Sequence, residues 1–205
     1  ILGYECNFCD MKKEDMEADK AQISLYKQWR EVLQYGDFYR GRSFAGDAGK
    51  GYHTAIGISP ENLMEWTCVS PDKKRAVGML FQKLVAPNQP FTCYRARGLA
   101  EEVCYHFYNR SLKYDLRSFG DLVNYVSPVH IKQDSLTQSV IAKFVKMDGE
   151  TEDCLVYGDE LMYHGVKLKQ AFAALGYSNE VRYFQDFGSR MYFMEEAKET
   201  SGGEK

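Results

Sequence analysis

The chain has 205 residues, 44% hydrophobic and 14% aromatic, with a net charge of −3 and an isoelectric point near 5.9. That apolar content supports a packed core and excludes wholesale disorder, and the length allows one or two domains. The balance of charge excludes the basic footprint of a nucleic-acid or anionic-membrane binder, and no apolar run approaches the ~20 residues of a membrane-spanning helix.

Ile1 to Tyr4 is short and apolar and reads as the stub of a strand. From Glu14 to Tyr35 the pattern turns helical, with Ala18, Ala21, Leu25, Trp29 and Val32 three or four apart on one face. Glu14, Asp15 and Glu17 fall in the first turn, where they suit the positive end of the helix dipole, and Gly36 is placed as a stop. One helix with one apolar face is not a domain. Its partner surface must come from the rest of this chain or from sequence before Ile1, which reads as an internal position rather than a native start. Gly41 to Gly57 holds five glycines and reads as a surface loop; Gly46 to Gly51 lacks the Lys-Ser/Thr ending of a phosphate loop.

Leu63–Val69 and Ala76–Leu84 are apolar runs around Ser70-Pro71-Asp72-Lys73, which is turn chemistry, so the pair reads as a hairpin. Phe91–Ala96 reads as a third strand, Gly98 as a turn and Glu102–Tyr108 as a fourth strand. In that fourth strand Val103, Tyr105 and Phe107 alternate with Glu102, Cys104 and His106, which leaves His106 on a solvated face. Residues 118–126 and 135–146 read as two short helices. The second carries Leu136, Val140, Phe144 and Ile141 on its apolar face and Asp134 or Ser135 as its cap. This segment is expected to pack on the edge of the sheet, either as plain cover or as an oligomer contact. The last structured stretch opens with Gly158-Asp159-Glu160-Leu161 and ends at Arg190 to Phe193, where Arg190 and Tyr192 alternate with Met191 and Phe193 as the final strand of the sheet. Asp159, Glu160 and Asp186 are expected in turns. The closing residues 201–205 read as a flexible tail or linker.

The six cysteines sit mostly singly in apolar contexts and read as buried thiols in a reducing compartment. Cys6 and Cys9 have half the spacing of a zinc site, but no second pair completes it, so no metal and no cofactor is expected. Four scattered histidines and no nucleophile elbow give no Ser/His/Asp arrangement. No catalytic residue is assigned.

Several of these stretches resemble glycoside hydrolase family 36, the microbial α-galactosidases. Gly158 to Leu161, followed by Gly165-Val166-Lys167-Leu168 and then Asp186 to Arg190, resembles the family's C-terminal β-sandwich. Gln34 to Arg40 resembles the segment after its last barrel helix, Trp66 to Lys74 its tryptophan-led hairpin, and Leu2 to Glu5 its Phe-Gly-Tyr-Glu run. Residues 112–153 fit the shorter members poorly and resemble an insertion found in a subset. The resemblance implies a mainly β fold: an antiparallel β-sandwich preceded by a long helix that ends a (β/α)8 barrel. It implies residues 1–62 as the barrel's end, 63–196 as the sandwich with its insertion, and 197–205 as a tail. The family's two catalytic aspartates lie at barrel strand ends, in motifs this chain does not contain, so the resemblance transfers none of them. Only Tyr4 and Glu5 would stand near substrate.

The implied function is that of the C-terminal part of a bacterial, cytoplasmic α-galactosidase, inactive alone. The parent would take terminal α-galactosides such as raffinose or melibiose through its barrel, with retention and no cofactor. It would be a homo-oligomer, with no nucleic acid or membrane partner. Two other readings stay open: a stand-alone carbohydrate-binding β-sandwich, because tyrosines such as Tyr94, Tyr105 and Tyr108 are plentiful, and a structural β-domain without a ligand.

Overall fold

The computed structural model describes residues 9–43, 62–84, 93–110, 113–125, 127–149, 151–169 and 187–198. The strand stub at Ile1–Tyr4, most of the glycine-rich loop and the tail lie outside them. Helix α1 spans Lys13–Tyr35, with Glu14 and Asp15 in its first turn. It ends where Gly36 donates its N–H to the Val32 carbonyl at 2.9 Å. The chain then enters strand β1, Asp37–Arg40.

Strands β2 (Leu63–Val69) and β3 (Arg75–Gln82) form the expected hairpin, with Val69 opposite Ala76. The turn is closed by Ser70 N–H to the Arg75 carbonyl and Lys73 N–H to the Ser70 carbonyl, both 2.8 Å. The Asp72 carboxylate accepts the Ser70 hydroxyl at 2.6 Å and the Lys74 N–H at 3.1 Å, the local bonding that makes aspartate a turn residue.

The remaining strands are β4 (Cys93–Tyr94), β5 (Cys104–Asn109), β6 (Lys113–Asp115), β7 (Lys146–Asp148), β8 (Asp153–Tyr157), β9 (Val166–Lys167) and β10 (Ser189–Glu196). The main sheet runs β1-β2-β3-β10-β5-β8, and every pair in it is antiparallel. The final strand therefore lies at the centre, with both of its edges satisfied by strands that precede it in the chain. The expected third strand is β4, but it leaves this sheet and pairs with β9, Tyr94 opposite Val166. An apolar run announces a strand without saying which sheet receives it.

Alternation along the strands gives the main sheet two apolar faces. On the inner face Leu63, Val69, Ala76, Leu80, Tyr105, Phe107, Tyr192 and Met194 form one core with Tyr94, Ala96, Leu99, Leu161 and Leu168 from the second layer. This second layer makes the molecule an antiparallel β-sandwich. Its keystone is Tyr94, fully buried, 4.9 Å from the Tyr192 ring and 6.0 Å from Phe107. Its hydroxyl pairs with the Thr67 hydroxyl at 2.8 Å and donates to the Trp66 carbonyl at 3.1 Å. Gly78 makes room for it: a Cβ there would stand 2.0 Å from the tyrosine hydroxyl.

On the outer face α1 packs Trp29 and Val32 over Cys68, Val77 and Phe193. The Trp29 and Phe193 rings stack at 4.7 Å, and the Arg75 guanidinium sits 4.1 Å from the Trp29 ring centre. Only the C-terminal part of the helical stripe is used. Ala18 and Ala21 are exposed. Away from α1 the outer face carries Phe38, Trp66 and Phe81 in an aromatic row, with centroids 5.4 and 6.5 Å apart. Phe38 is 54% exposed.

Residues 110–152 join β5 to β8, which are themselves paired, Tyr108 opposite Asp153. The insertion is thus an outsized hairpin connection. It holds the β6–β7 ribbon, a 3-10 segment Leu116–Tyr125 where a regular helix was expected, and α2, Leu136–Phe144. Ser135 caps α2 as predicted, accepting the Gln138 N–H at 3.1 Å. Ile141 packs against the lobe's core as expected, but the rest of the expected apolar face is turned outward. Gln138 and Ala142 are buried, while Leu136, Val140 and Phe144 are 87%, 54% and 83% exposed. The lobe's core of Leu116, Val123, Ile131 and Ala142 is small, and the short Ala142 side chain lets the helix lie close. Buried Gln138 is half satisfied: its Oε1 accepts the Asp134 N–H at 2.9 Å, while its Nε2 has no hydrogen-bond partner among the described residues. The lobe is tied to the sheet by Arg190 of β10, which donates to the Tyr114 hydroxyl.

Candidate functional site

The Gly158-Asp159-Glu160-Leu161 run, expected as a turn, forms the first part of a short helix, α3, Gly158–Tyr163. It is seated by its backbone. Gly158 N–H donates to the Val103 carbonyl at 2.9 Å and Asp159 N–H to the Glu101 carbonyl at 3.1 Å, while the Leu161 carbonyl accepts Ala96 N–H at 3.1 Å. Gly158 is needed because a Cβ there would lie 1.9 Å from the Ala100 carbonyl oxygen. Leu161 is fully buried. Gly165, with φ +80°, ends the helix by donating to the Glu160 carbonyl at 2.8 Å, the left-handed stop that favours glycine. Val166 then enters β9 and Leu168 joins the core.

Gly158 and Leu161 of that stretch are buried, and Asp159 and Glu160 face solvent. Tyr157, Asp159, Glu160, Tyr163 and His164 line an open groove of about 440 Å³. Asp159 and Glu160 were singled out from the sequence. Tyr157, Tyr163 and His164 were not, although Asp159 and Tyr163 stand four apart, the helical spacing that brings them together. Asp159 Oδ1 accepts the Glu160 N–H at 2.7 Å. The Tyr163 hydroxyl donates to Glu101 Oε1 at 2.5 Å, and that carboxylate pushes the phenol's pKa up. The tyrosine therefore stays protonated as a hydrogen-bonding group rather than a base.

Retaining glycoside hydrolysis needs a carboxylate nucleophile and a carboxylic acid roughly 5 Å apart on either side of the sugar. In the groove Asp159 accepts a backbone N–H and Glu101 a tyrosine hydroxyl. Outside the groove Glu65 and Asp153 are ion-paired. Glu65, 3% exposed, meets Arg42 Nη2 at 2.7 Å, and the same nitrogen donates to the Cys93 carbonyl at 2.6 Å. His106, on the solvated face as expected, pairs with Asp153 at 2.7 Å and stacks on Tyr108 at 4.8 Å. Among the described residues no group of three His, Cys, Asp or Glu side chains is placed to hold a metal ion, and no helix is long and apolar enough to cross a membrane. Tyr4 and Glu5, the residues expected nearest to substrate, and Asp186 lie outside the described residues.

The cysteines divide. Cys68 is buried, and its thiol donates to the Val32 carbonyl at 3.0 Å; burial pushes its pKa up. Cys93, Cys104 and Cys154 are half-buried thiols outside any disulfide, whereas Cys9 is exposed, so among the described cysteines the expected burial holds in full for Cys68 alone.

Comparison with known proteins bears on the whole sandwich. Residues 63–194 match the glycosyl hydrolase family 36 C-terminal domain. Over 99 residues the chain is 30% identical to alpha-galactosidase AgaA of Geobacillus stearothermophilus, a stretch covering 48% of this chain and 12% of that protein. Over 90 residues it is 30% identical to alpha-galactosidase 1 of Pediococcus pentosaceus, covering 44% and 10%. The chain thus spans about a tenth of the curated relatives it matches. The crystal structure of the alpha-galactosidase from Lactobacillus brevis shares the fold with a TM-score of 0.59 at 22% identity, over 100% of this chain and 19% of that one. The chain belongs to glycosyl hydrolase family 36, and the sandwich it folds into is that family's C-terminal domain.

Proposed function

We propose that this chain is the C-terminal portion of a retaining α-galactosidase, and that its work is to support the catalytic barrel preceding it rather than to carry out chemistry. The parent removes terminal α-linked galactose from oligosaccharides such as raffinose or melibiose, needs no cofactor, and assembles as a homo-oligomer. Residues 1–62 end the barrel, with Asp37–Arg40 lent to the sheet across that line, residues 63–196 form the sandwich, and 197–205 are a tail. The unpaired thiols Cys68, Cys93, Cys104 and Cys154 suit a reducing compartment, which we take to be the bacterial cytoplasm. Tyr4 and Glu5 stand on the substrate side.

The observation that carries this reading is the half-used helix. α1 buries Trp29 and Val32 against the sheet and leaves Ala18 and Ala21 outward, beside an outer sheet face whose Phe38 is 54% exposed. A helix packed on both sides belongs to two layers, and the second layer here is the barrel. The test is made in the longer parent polypeptide. Exchanging Phe38 for aspartate is expected to lower the parent's thermal stability and its α-galactosidase activity by more than the loss of its Trp66 contact lowers the stability of this chain alone. An equal loss in both would assign Phe38 to the sandwich itself and remove the barrel contact.

A further inference from the structure

The groove at α3 is built before any ligand arrives. Leu161 is fully buried, and the N–H groups of Gly158 and Asp159 are bonded to the Val103 and Glu101 carbonyls. The helix that carries the lining residues is therefore fixed to the sandwich. A volume of about 440 Å³ falls in the lower part of the range for small-ligand sites, about 300–1,000 Å³.

Two aromatic side chains stand in that lining. Tyr157 and Tyr163 are 55% and 63% exposed, although a tyrosine ring released from water gains more by burial. Tyr163 is held at its tip, because its hydroxyl donates to Glu101 Oε1 at 2.5 Å. Tyr157 is held at its root, as the last residue of β8, opposite Cys104. Rings fixed in this way lose little freedom when a ligand lies on them. Between them come exposed Asp159 and Glu160. Asp159 gives Oδ1 to the Glu160 N–H at 2.7 Å, but an ionised carboxylate has about four lone-pair sites and can still accept hydroxyls. The acids exclude an anionic ligand. Arg95, donating to the His164 carbonyl at 3.3 Å, already places a cation at the rim.

We propose that this groove binds a neutral oligosaccharide: the tyrosine rings take the C–H faces of its sugar rings, and the Asp159 and Glu160 carboxylates accept its hydroxyls. A pyranose fits because it joins an apolar C–H face to a rim of hydroxyl donors. The C–H face suits the negative face of an aromatic ring, and the donors suit groups that only accept. The choice of raffinose as the probe rests on the α-galactoside reading above; the site itself gives the sandwich a role beyond support of the barrel.

Calorimetric titration of the 205-residue chain with raffinose tests it, with tetramethylammonium chloride as the cationic comparison and circular dichroism to confirm that each variant is folded. The expected result is saturable millimolar binding of raffinose that does not change as salt is raised, because the ligand is uncharged. Tyr157→Ala and Tyr163→Ala are each expected to weaken it about tenfold. Tyr163→Phe keeps the ring and loses only the tie to Glu101, so it is expected to weaken binding less. If an alanine variant does not fold, the ring-proton resonances of Tyr157 and Tyr163 in the wild-type chain carry the test, and both are expected to shift on titration. Absence of saturation by raffinose, binding that survives both alanine exchanges, or resonance shifts confined to other residues would overturn the proposal. So would tetramethylammonium binding more tightly than raffinose and weakening with salt, which would give the groove to organic cations. The α-galactosidase reading is judged separately, by turnover in the parent: a groove without sugar leaves it standing, and a parent without turnover leaves the sugar site standing.

Discussion

Trp29 and Phe193 carry the contact between helix and sheet. Both are almost fully buried, and their rings stack at 4.7 Å. Removing a buried aromatic costs the transfer energy of the ring plus the cavity it leaves, about 3–5 kcal/mol. Trp29→Ala is expected to lower the unfolding free energy of the chain, read from denaturant melts, by that much, whereas Leu136→Ala, on an exposed site, is expected to leave it within about 0.5 kcal/mol. Equal effects would mean that α1 is not docked as described. Tyr94 and Tyr192 add a dependence on pH. Burial pushes both phenols well above their ordinary value, so the folded chain holds them neutral. Their contribution is full below about pH 10, the unfolded value, and is lost as the pH climbs through the raised values. Alkaline unfolding is therefore expected, with a late rise in tyrosinate absorbance that coincides with loss of the fold. Titration of every tyrosine near the ordinary value with the fold intact would contradict it.

Among the elements, the lobe and α3 depend on local bonding. Ser135→Ala removes the cap of α2 and is expected to cost about 1 kcal/mol, read as a lower thermal midpoint with the sheet's circular dichroism unchanged below it. Asp115 is held below the ordinary carboxylate range by hydrogen bonds from Arg117, at 3.0 Å from Nε and 2.9 Å from Nη2. A depressed folded-state pKa contributes stability that is present above about pH 4 and is lost as the pH falls through the lower value. Solvent on the pair keeps that contribution small. Period and turn chemistry made most of the elements legible in the sequence: α1, the hairpin at Ser70 to Lys73, the burial of Tyr105 and Phe107 against the exposure of His106, and the cap at Ser135. What escaped was set by long-range partners. Nothing within Phe91–Ala96 says that Tyr94 joins a second layer with Val166. Nothing within α2 says that a small core would take Ala142 and Gln138 and leave Leu136, Val140 and Phe144 outside. The groove was half legible, since Asp159 and Glu160 stood out as a pair, but Tyr163 and His164 joined them only once the run proved helical.

At the scale of the whole molecule the sheet is completed by its last strand. β10 lies between β3 and β5, so the sandwich cannot close until the chain has been made through Glu196. Truncation before Ser189 is expected to give an aggregating product, whereas removal of residues 199–205 is expected to leave the thermal midpoint unchanged. The chain spans about a tenth of the curated relatives it matches. That is the basis for reading the chain as the silent partner of a catalytic barrel. The direct measurement is hydrolysis of a chromogenic α-galactoside by this chain, alongside the longer polypeptide with its barrel. The account predicts release by the longer polypeptide and none by this chain above a heat-killed control; saturable turnover by the 205 residues alone would contradict it.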